Sequence, residues 1–381
     1  MESTKKYWLI IEPYVYINLT EENVLLYNTL DSAFIESSQI EVIDLIRELL
    51  KEENVGVIRI KTKQLAEQPV IKIFIDELRE KFMGDLVDQS LSNGRPVQIL
   101  PFINYPTWSN RGCDLNFLND RSQMLFEITI HLDSNSNVHK LKEYLQIIPE
   151  NTAIILAGNW QDITDIDQLL EYLQHRSSTP IIDCSYTQIP TLNAKYISGF
   201  EYRVSVYFPI NHCLWEKAMQ LRLDWNGSVG YCFKVTSEAD CLMAEQLIEV
   251  YAIENYQISP HYTGHNLDFF KENIYLTHDD ILASSLSMKE LFKRRTLNQN
   301  DFGKLHILPN GDICANIHHP VLGNITAHSI YAIIQKEIEE GISWLRVRNQ
   351  DPCATCLYRD LCPSPSDYEL EIGHPNLCYI K

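Results

Sequence analysis

The residues best suited to chemistry in this sequence are four cysteines near its C-terminal end. Cys353, Cys356 and Cys362 fall in the run CATCLYRDLC and Cys378 falls in NLCYIK, which gives the spacing C-x2-C-x5-C-x15-C. A C-x2-C turn can bring two sulfurs to one metal, and thiolates are the ligands that both iron–sulfur clusters and structural zinc require. The density of thiols therefore predicts a metal site on these four residues.

The spacing leaves open which metal the four cysteines bind. Structural zinc sites usually present two short-spaced pairs of ligands, whereas a tight triple plus one distant cysteine is more typical of iron–sulfur ligation. We expect one 4Fe-4S cluster on Cys353, Cys356, Cys362 and Cys378. A zinc ion on the same residues is the alternative, and a group of free thiols is the third possibility.

Composition and charge narrow the class of protein. The formal net charge of −19 argues against a nucleic-acid partner. The first apolar run is interrupted by Glu12 and Pro13, so it is too short for a signal peptide or a membrane span. We therefore expect a cytoplasmic protein without a membrane partner, whose cysteines are thiols or metal ligands. Four others lie in apolar segments and are predicted to be core residues: Cys184, Cys213, Cys232 and Cys241.

Other candidate sites are weak. No G-x-G-x-x-G, P-loop, G-x-S-x-G or H-E-x-x-H motif occurs in the sequence. His261 and His265 could share a metal after the last predicted strand of the middle region, but isolated histidines are more often surface or packing residues. His318 and His319 are interpreted in the same way. No catalytic residue is assigned.

Residues 1–115 are predicted to form an α+β domain. The runs YVYINL and NVLLYNT predict a hairpin. Ser38 and Glu41 could form a capping box before a helical stripe over 42–50, which is followed by the strand GVIRI and a second amphipathic helix over 69–82. This order resembles the winged-helix peptide-recognition domain found beside or fused to peptide-maturing radical enzymes. The alternative is an ordinary α+β cap on the next domain.

Residues 116–300 alternate strands and helices, which places the chain in the α/β class. Six strand-like runs are separated by amphipathic helices such as NVHKLKEYLQII and DIDQLLEYLQHR; the strands are QMLFEITIHL, TAIILAG, PIIDCSY, YRVSVYFPI, VGYCFKVTS and YQISPHYTG. Such a series implies a parallel sheet, either an open partial barrel or a doubly wound sheet. Periodicity alone does not choose between them.

Residues 301–381 are predicted to be a compact module organised by the metal. GKLHILPNGDICANIHHPVLGNI together with CATCLYRDLC resembles the SPASM domain, the auxiliary-cluster module of radical SAM peptide-modifying enzymes. The resemblance implies that the four cysteines hold the second auxiliary cluster. The first auxiliary cluster would use Cys314 and two further cysteines, but His328 and Ser366 stand at those two positions. It is expected to be missing, which leaves Cys314 as a vestigial or buried thiol.

The middle region then resembles a degenerate radical SAM partial (β/α)6 barrel. Radical chemistry in that family needs a C-x3-C-x2-C triad after the first strand, but the loop here is DSNSN at 133–137, and the alternative first strand QILPFIN is followed only by Cys113. The glycine-rich stretch that helps to hold S-adenosylmethionine aligns with the run AGNW at 157–160. The whole chain resembles the pseudo-radical-SAM proteins of GG-Bacteroidales peptide systems, which accompany an active maturase.

The resemblance implies a non-catalytic accessory protein in the maturation of a ribosomally synthesised peptide. Its expected partners are the precursor peptide and a radical SAM maturase, and its expected cofactor is one 4Fe-4S cluster without S-adenosylmethionine. Two alternatives from other classes stay open. The protein could be an oxidoreductase component that relays electrons or uses an unrecognised site at the barrel mouth, or a zinc protein unrelated to peptides.

We predict that the chain does not cleave S-adenosylmethionine, because no cysteine triad is present to leave an open iron for it. The measurement is 5′-deoxyadenosine formed by the anaerobically purified protein after chemical reduction, compared with a variant that lacks the four C-terminal cysteines. The two proteins should give the same background. Product above that background would contradict a non-catalytic protein.

Overall fold

A computed structural model describes residues 5–54, 56–98, 100, 121–159, 163–192, 199–222 and 228–380. Within these residues the protein is a mixed α/β structure. It contains a nine-stranded, mostly parallel sheet and two three-stranded antiparallel sheets. The α/β class predicted from the sequence is thereby confirmed.

The N-terminal region forms the two small sheets. One has the order β5-β1-β6 and the other β2-β3-β4. The predicted hairpin and the GVIRI strand are confirmed as β2-β3 and β5, while three further strands were not predicted. The strands are β1 Lys6–Ile11, β2 Val15–Leu19, β3 Val24–Asn28, β4 Phe34–Ser37, β5 Val57–Lys61 and β6 Gly84–Asp88.

Helices pack against these sheets. They are α1 Ile40–Leu49, α2 Thr62–Glu67 and α3 Pro69–Glu80. The two predicted amphipathic helices are confirmed as α1 and α3, but the predicted capping box of Ser38 and Glu41 is wrong. The backbone is still extended at Gln39, which is the N-cap and makes no side-chain cap bond, so Glu41 is the second helical residue instead of the third.

The large sheet contains the six predicted strands of the middle region, and all six are parallel to their neighbours. They are adjacent in chain order from β7 to β12, without the reversal of order that a doubly wound sheet has. The strands are β7 Glu127–Leu132, β8 Ala153–Gly158, β9 Ile181–Ser185, β10 Glu201–Tyr207, β11 Val229–Val235 and β12 Tyr256–Pro260. The intervening helices are α4 Val138–Leu145, α5 Ile166–Gln174, α6 His212–Arg222 and α7 Glu238–Val250.

The C-terminal part of the chain extends this sheet beyond β7. The strands are β13 Lys304–Ile307, parallel to β7, and the antiparallel β14 Asp312–Cys314 and β15 Gly323–Asn324. The remaining helices are α8 Leu267–Asn273, α9 His278–Leu282, α10 Met288–Thr296, α11 Ile330–Glu340 and α12 Asp367–Ile372. No helix among the residues described is both long enough and apolar enough to cross a lipid bilayer.

Two hydrophobic cores organise the molecule. The larger core lies between the nine-stranded sheet and its helices and also includes residues of β13, β14 and α11. The smaller core belongs to the N-terminal sheets and helices. This smaller core also contains residues from the C-terminal part of the chain: Ile281, Leu282, Leu286, Leu291, Leu361 and Cys362. The segment with three of the four candidate ligands therefore packs into the N-terminal core.

The four cysteines predicted to be core residues differ in burial. Cys184 and Cys232 are buried, Cys241 is half-buried and Cys213 is exposed. The prediction for Cys213 is wrong because α6 buries Trp215, Ala218 and Met219. Cys213 precedes Trp215 by two positions, which on a helix points it away from that face. Cys113, the strand run QILPFIN beyond Leu100 and Trp160 lie outside the described residues.

Leu361→Ala should destabilise the protein by about 2 to 5 kcal/mol, because it leaves a cavity in the N-terminal core. Leu361 is fully buried there although it lies in the cysteine loop. The matched control is Leu242→Ala on α7, where the side chain is 60% exposed. The measurement is the free energy of unfolding of both variants in denaturant. Equal small effects would show that the loop does not contribute to this core.

Candidate metal centre

Three of the four predicted ligands line one cavity. Cys353 starts a 3-10 turn that ends at Thr355, and the amide of Cys356 donates to the Cys353 carbonyl at 3.1 Å. Cys353, Cys356 and Cys378 all face a cavity of about 550 Å³. The fourth predicted ligand, Cys362, is buried and packs in the N-terminal core. The chain therefore brings Cys378 back to the C-x2-C turn across the intervening residues.

The environment of the thiols opposes a free thiolate. Burial raises the pKa of Cys362 to about 12, and the nearby thiols of Cys356, Cys378 and Cys353 add to this effect while Arg348 opposes it. Burial also raises the pKa of Cys356, again with a contribution from Cys353 and Cys378. Cys362 is thus close enough to the other three thiols for their charge to act on it. Deprotonation of such a group needs a compensating positive charge, which a bound metal supplies.

Donors are directed at three of the four sulfurs. The Asn376 side-chain amide donates to Sγ of Cys378 at 3.1 Å, and the Tyr358 backbone N–H donates to Sγ of Cys356 at 3.4 Å. Nη1 of Arg348 lies 3.9 Å from Sγ of Cys353. N–H groups directed at sulfur stabilise thiolate ligands and help to set the reduction potential of an iron–sulfur cluster.

Two guanidinium groups lie near the thiols. Arg348 pairs with Glu369 at 3.0 Å, and both side chains are less than a tenth exposed. Burial alone would lower the pKa of Arg348, but Glu369 and the thiols of Cys362 and Cys353 outweigh it and raise the pKa. Arg294 donates from Nη1 to the Leu361 carbonyl, while its buried Nε has no hydrogen-bond partner in the described part of the chain.

These features fit an iron–sulfur cluster on the four cysteines. The donor set is entirely thiol, the cavity is next to three of the sulfurs, and the Nε of Arg294 is a buried donor close to Cys362. A cluster with four thiolates is anionic and would offer sulfur acceptors to such a donor. Among the described residues, no three His, Cys, Asp or Glu side chains form a group that could hold a metal ion as they stand.

The N-terminal hairpin holds the cysteine loop in place. The Tyr16 hydroxyl, buried in the core, donates to Asp360 at 2.8 Å. The Asn18 amide donates to the carbonyls of Cys356 at 3.2 Å and Leu357 at 2.7 Å. Residues of β2, more than three hundred positions earlier in the chain, therefore hold the loop between Cys356 and Cys362 in place.

The positions of the expected missing cluster lie elsewhere. Cys314 is buried in β14 within the large core, and burial raises its pKa to about 11. Nδ1 of His328 accepts from the Asn324 backbone at 3.2 Å. Ser366 caps α12 together with Glu369. Each of these three residues thus has a structural contact, and none lines the cysteine cavity.

The other candidate histidines make separate ring, ionic or hydrogen-bond contacts. His261 and His265 are both exposed, and His261 packs edge-on against Tyr207. His318 lies 3.6 Å from Glu371, whereas His319 pairs with Ser343 at 2.8 Å. These contacts are those of surface and packing residues.

Sequence reasoning missed the residues around the thiols and a polar row on the large sheet. Arg294, Arg348, Glu369 and Asn376 carry no motif, so only the fold reveals their place near the sulfurs. On the sheet, His131 and His306 are linked at 3.1 Å, and burial lowers the pKa of His306 to about 4. Alternation of polar and apolar residues in EITIHL and KLHI could have indicated this second face.

Compared with protein-family models and with curated proteins, the sequence gives no match. Function is therefore inferred from the residues and their geometry.

Arg348→Met should destabilise the protein by about 3 to 5 kcal/mol, because it leaves the buried Glu369 carboxylate without its cationic partner. Arg348→Met/Glu369→Gln should recover much of that loss, since glutamine removes the unpaired charge and can still cap α12. Unfolding in denaturant measures both, and Arg79→Met, which removes an exposed pair with Asp85, serves as the control with a change below about 1 kcal/mol. A double variant as unstable as the single one would contradict this account.

Proposed function

We infer that the protein is a non-catalytic accessory protein of peptide maturation that carries one 4Fe-4S cluster and binds a precursor peptide, a radical SAM maturase or both. The observation that carries the inference is the set of three cysteines around one cavity, each with an N–H donor directed at its sulfur, together with the buried Cys362, which lies near the guanidinium of Arg294. Cys353, Cys356, Cys362 and Cys378 would hold the cluster. When bound, it would supply a redox-active group and cross-link the loop to the end of the chain.

The order of elements supports a degenerate radical SAM partial barrel as scaffold. Six parallel strands follow one another in chain order, and the cysteine segment comes after them. The loop after β7 runs from Asp133 to Asn137, where Asp133 accepts from the Asn135 amide and Asn137 caps α4. The loop contains no cysteine that could bind an iron. Its sequence is therefore consistent with a scaffold that performs no radical chemistry.

A groove in the N-terminal region is our candidate site for the peptide. It lies between α1, β5 and the beginning of α3, has a volume of about 430 Å³, and includes Leu45, Arg59, Gln68 and Ile71. The buried Oε1 of Gln68 has no hydrogen-bond partner within the described residues. It is therefore an acceptor that a peptide N–H could use.

The edge of β5 offers main-chain groups to the same groove. The bonds from Thr62 N to Lys5 O at 3.0 Å and from Ile11 N to Gly56 O at 3.4 Å place Ile58 and Ile60 at the positions bonded to β1. Arg59 alternates with them, so its N–H and C=O point away from β1. An extended peptide could pair there as an added strand and place alternate side chains in the groove.

A second candidate function is that of an electron-transfer component. The observation that favours it is the access to the thiols, since Cys356 and Cys378 are only half-buried and face an open cavity. A cluster with a purely structural role needs no such access. A redox titration of the cluster separates the two roles, because a relay must cycle reversibly at a potential that its partner can use.

Gln68→Leu should weaken binding of the proposed precursor peptide by about 5-fold, the equivalent of one hydrogen bond worth ~1 kcal/mol. Calorimetry on the full chain is the measurement, with Gln146→Leu, an exposed residue next to α4, as the control. Deletion of residues 1–115 is a poorer test, because it would expose Leu361 and the other distal residues of the N-terminal core. Undiminished binding by Gln68→Leu would show that the peptide does not bind in this groove.

Protein purified without oxygen should contain close to four irons and four sulfides per chain. Cys353→Ala and Cys378→Ala should each lower the metal content and the solubility, because binding energy at such a site is folding energy. Cys213→Ala, on the exposed surface of α6, is the matched control and should change neither. One zinc per chain without sulfide would contradict the iron–sulfur cluster and favour a zinc site on the same cysteines.

A further inference from the structure

A cavity of about 540 Å³ lies between α4 and the beginning of α11. Its lining residues come from positions 140–147 and 325–329, so two distant parts of the chain form it. Within the described part of the chain it shares no lining residue with the cysteine cavity. It is therefore a separate place in which a ligand could bind.

Tyr144 brings an unpaired hydroxyl to this cavity. Its ring packs in the large core and only 5% of the residue is exposed, yet its hydroxyl has no hydrogen-bond partner within the described residues. Tyr144 is also one of the lining residues. Burial raises the pKa of Tyr144, so the hydroxyl keeps its proton at neutral pH and can donate. Since buried hydroxyls usually have a partner, this one indicates a ligand with an acceptor.

Two further groups of the cavity favour an acceptor with a negative charge. Lys140 precedes Tyr144 by one helical turn, lines the cavity and makes no ion pair within the described residues. The N-cap of α11, Ser329, lines it too and accepts from the Ala332 amide at 3.3 Å. The other N–H groups of that first turn have no acceptor inside the helix and form the positive end of its dipole.

The remaining lining residues restrict the kind of anion. Ile147 and Ile325 give the cavity an apolar wall, and Ile147 is 47% exposed. Glu143 is the one carboxylate among the lining residues of the described chain, and it lies 3.5 Å from Nδ1 of His139. One lysine beside one glutamate suits a monoanion with an apolar part better than a phosphate dianion, which Glu143 would repel more strongly.

We propose that this cavity binds a carboxylic acid with a short apolar chain. The carboxylate accepts from the Tyr144 hydroxyl and from the Lys140 ammonium, while the chain contacts Ile147 and Ile325. Either a free organic acid or the C-terminus of a peptide carries such a group. Binding is non-covalent and does not depend on the cluster proposed above.

Calorimetry on the full chain tests the class of ligand with isocaproate, its neutral amide and inorganic phosphate. The amide and phosphate should bind at least about 10-fold more weakly than isocaproate. Acetylglycylleucine with a free or an amidated C-terminus distinguishes the two sources of the carboxylate. Tighter binding of the free peptide than of isocaproate would identify a peptide C-terminus, and weaker binding would identify a free acid.

Substitutions on α4 test the site itself. Tyr144→Phe should weaken isocaproate binding about 5-fold without lowering the free energy of unfolding, because the hydroxyl that it removes is unpaired in the free protein. Lys140→Met should weaken binding by a similar factor and Glu143→Gln should strengthen it. The control Lys142→Met removes the same charge from a lysine that lies over the Tyr172 ring and should change the affinity by less than about 2-fold.

Three results would overturn the proposal: no binding of isocaproate, equal binding of isocaproate and its amide, or undiminished binding by both Tyr144→Phe and Lys140→Met. Tighter binding of phosphate than of isocaproate would also overturn the assignment of a carboxylate. None of these results bears on the iron and sulfide content of the protein, so the site and the cluster are tested separately.

Discussion

The contact between the cysteine loop and the N-terminal hairpin is the constraint on which the rest of this account depends. Tyr16 and Asn18 on β2 fix Asp360 and the carbonyls of Cys356 and Leu357, and Leu361 is buried among residues of the small sheets. Two segments from opposite ends of the chain thus share one core. The cluster that we propose on this loop would therefore couple metal binding to the folding of the N-terminal region.

Positively charged side chains lie near the thiols, although the chain as a whole is strongly acidic. The formal net charge is −19, yet the side chain of Arg348 is buried beside Cys353 and the Nε of Arg294 is buried near Cys362. Burial of Arg348 is compensated by Glu369, so the pair provides a fixed dipole beside Cys353. Such groups stabilise an anionic cluster with little reorganisation.

Local sequence patterns predicted the strands and turns, because the conformation of these elements depends mainly on neighbouring residues. Alternating apolar residues revealed the six parallel strands, and the turn residues between YVYINL and NVLLYNT revealed the hairpin. The strand β1 was missed because its run KYWLII is almost continuously apolar, and the cap at Gln39 was missed because it uses no side chain. The cysteine spacing identified candidate ligands, but long-range contacts such as the bond from Tyr16 to Asp360 and the Arg348–Glu369 pair beside Cys353 are visible only in the fold.

Amide hydrogen exchange on the protein with and without the proposed cluster tests the coupling between metal binding and the N-terminal region most directly. Removal of the metal by a chelator should lower the protection of Val15–Leu19, since Tyr16 and Asn18 lose a fixed loop to bind. Protection of β8 to β10, which lie in the other core, should stay the same. Unchanged protection of Val15–Leu19 after complete loss of metal would contradict the account.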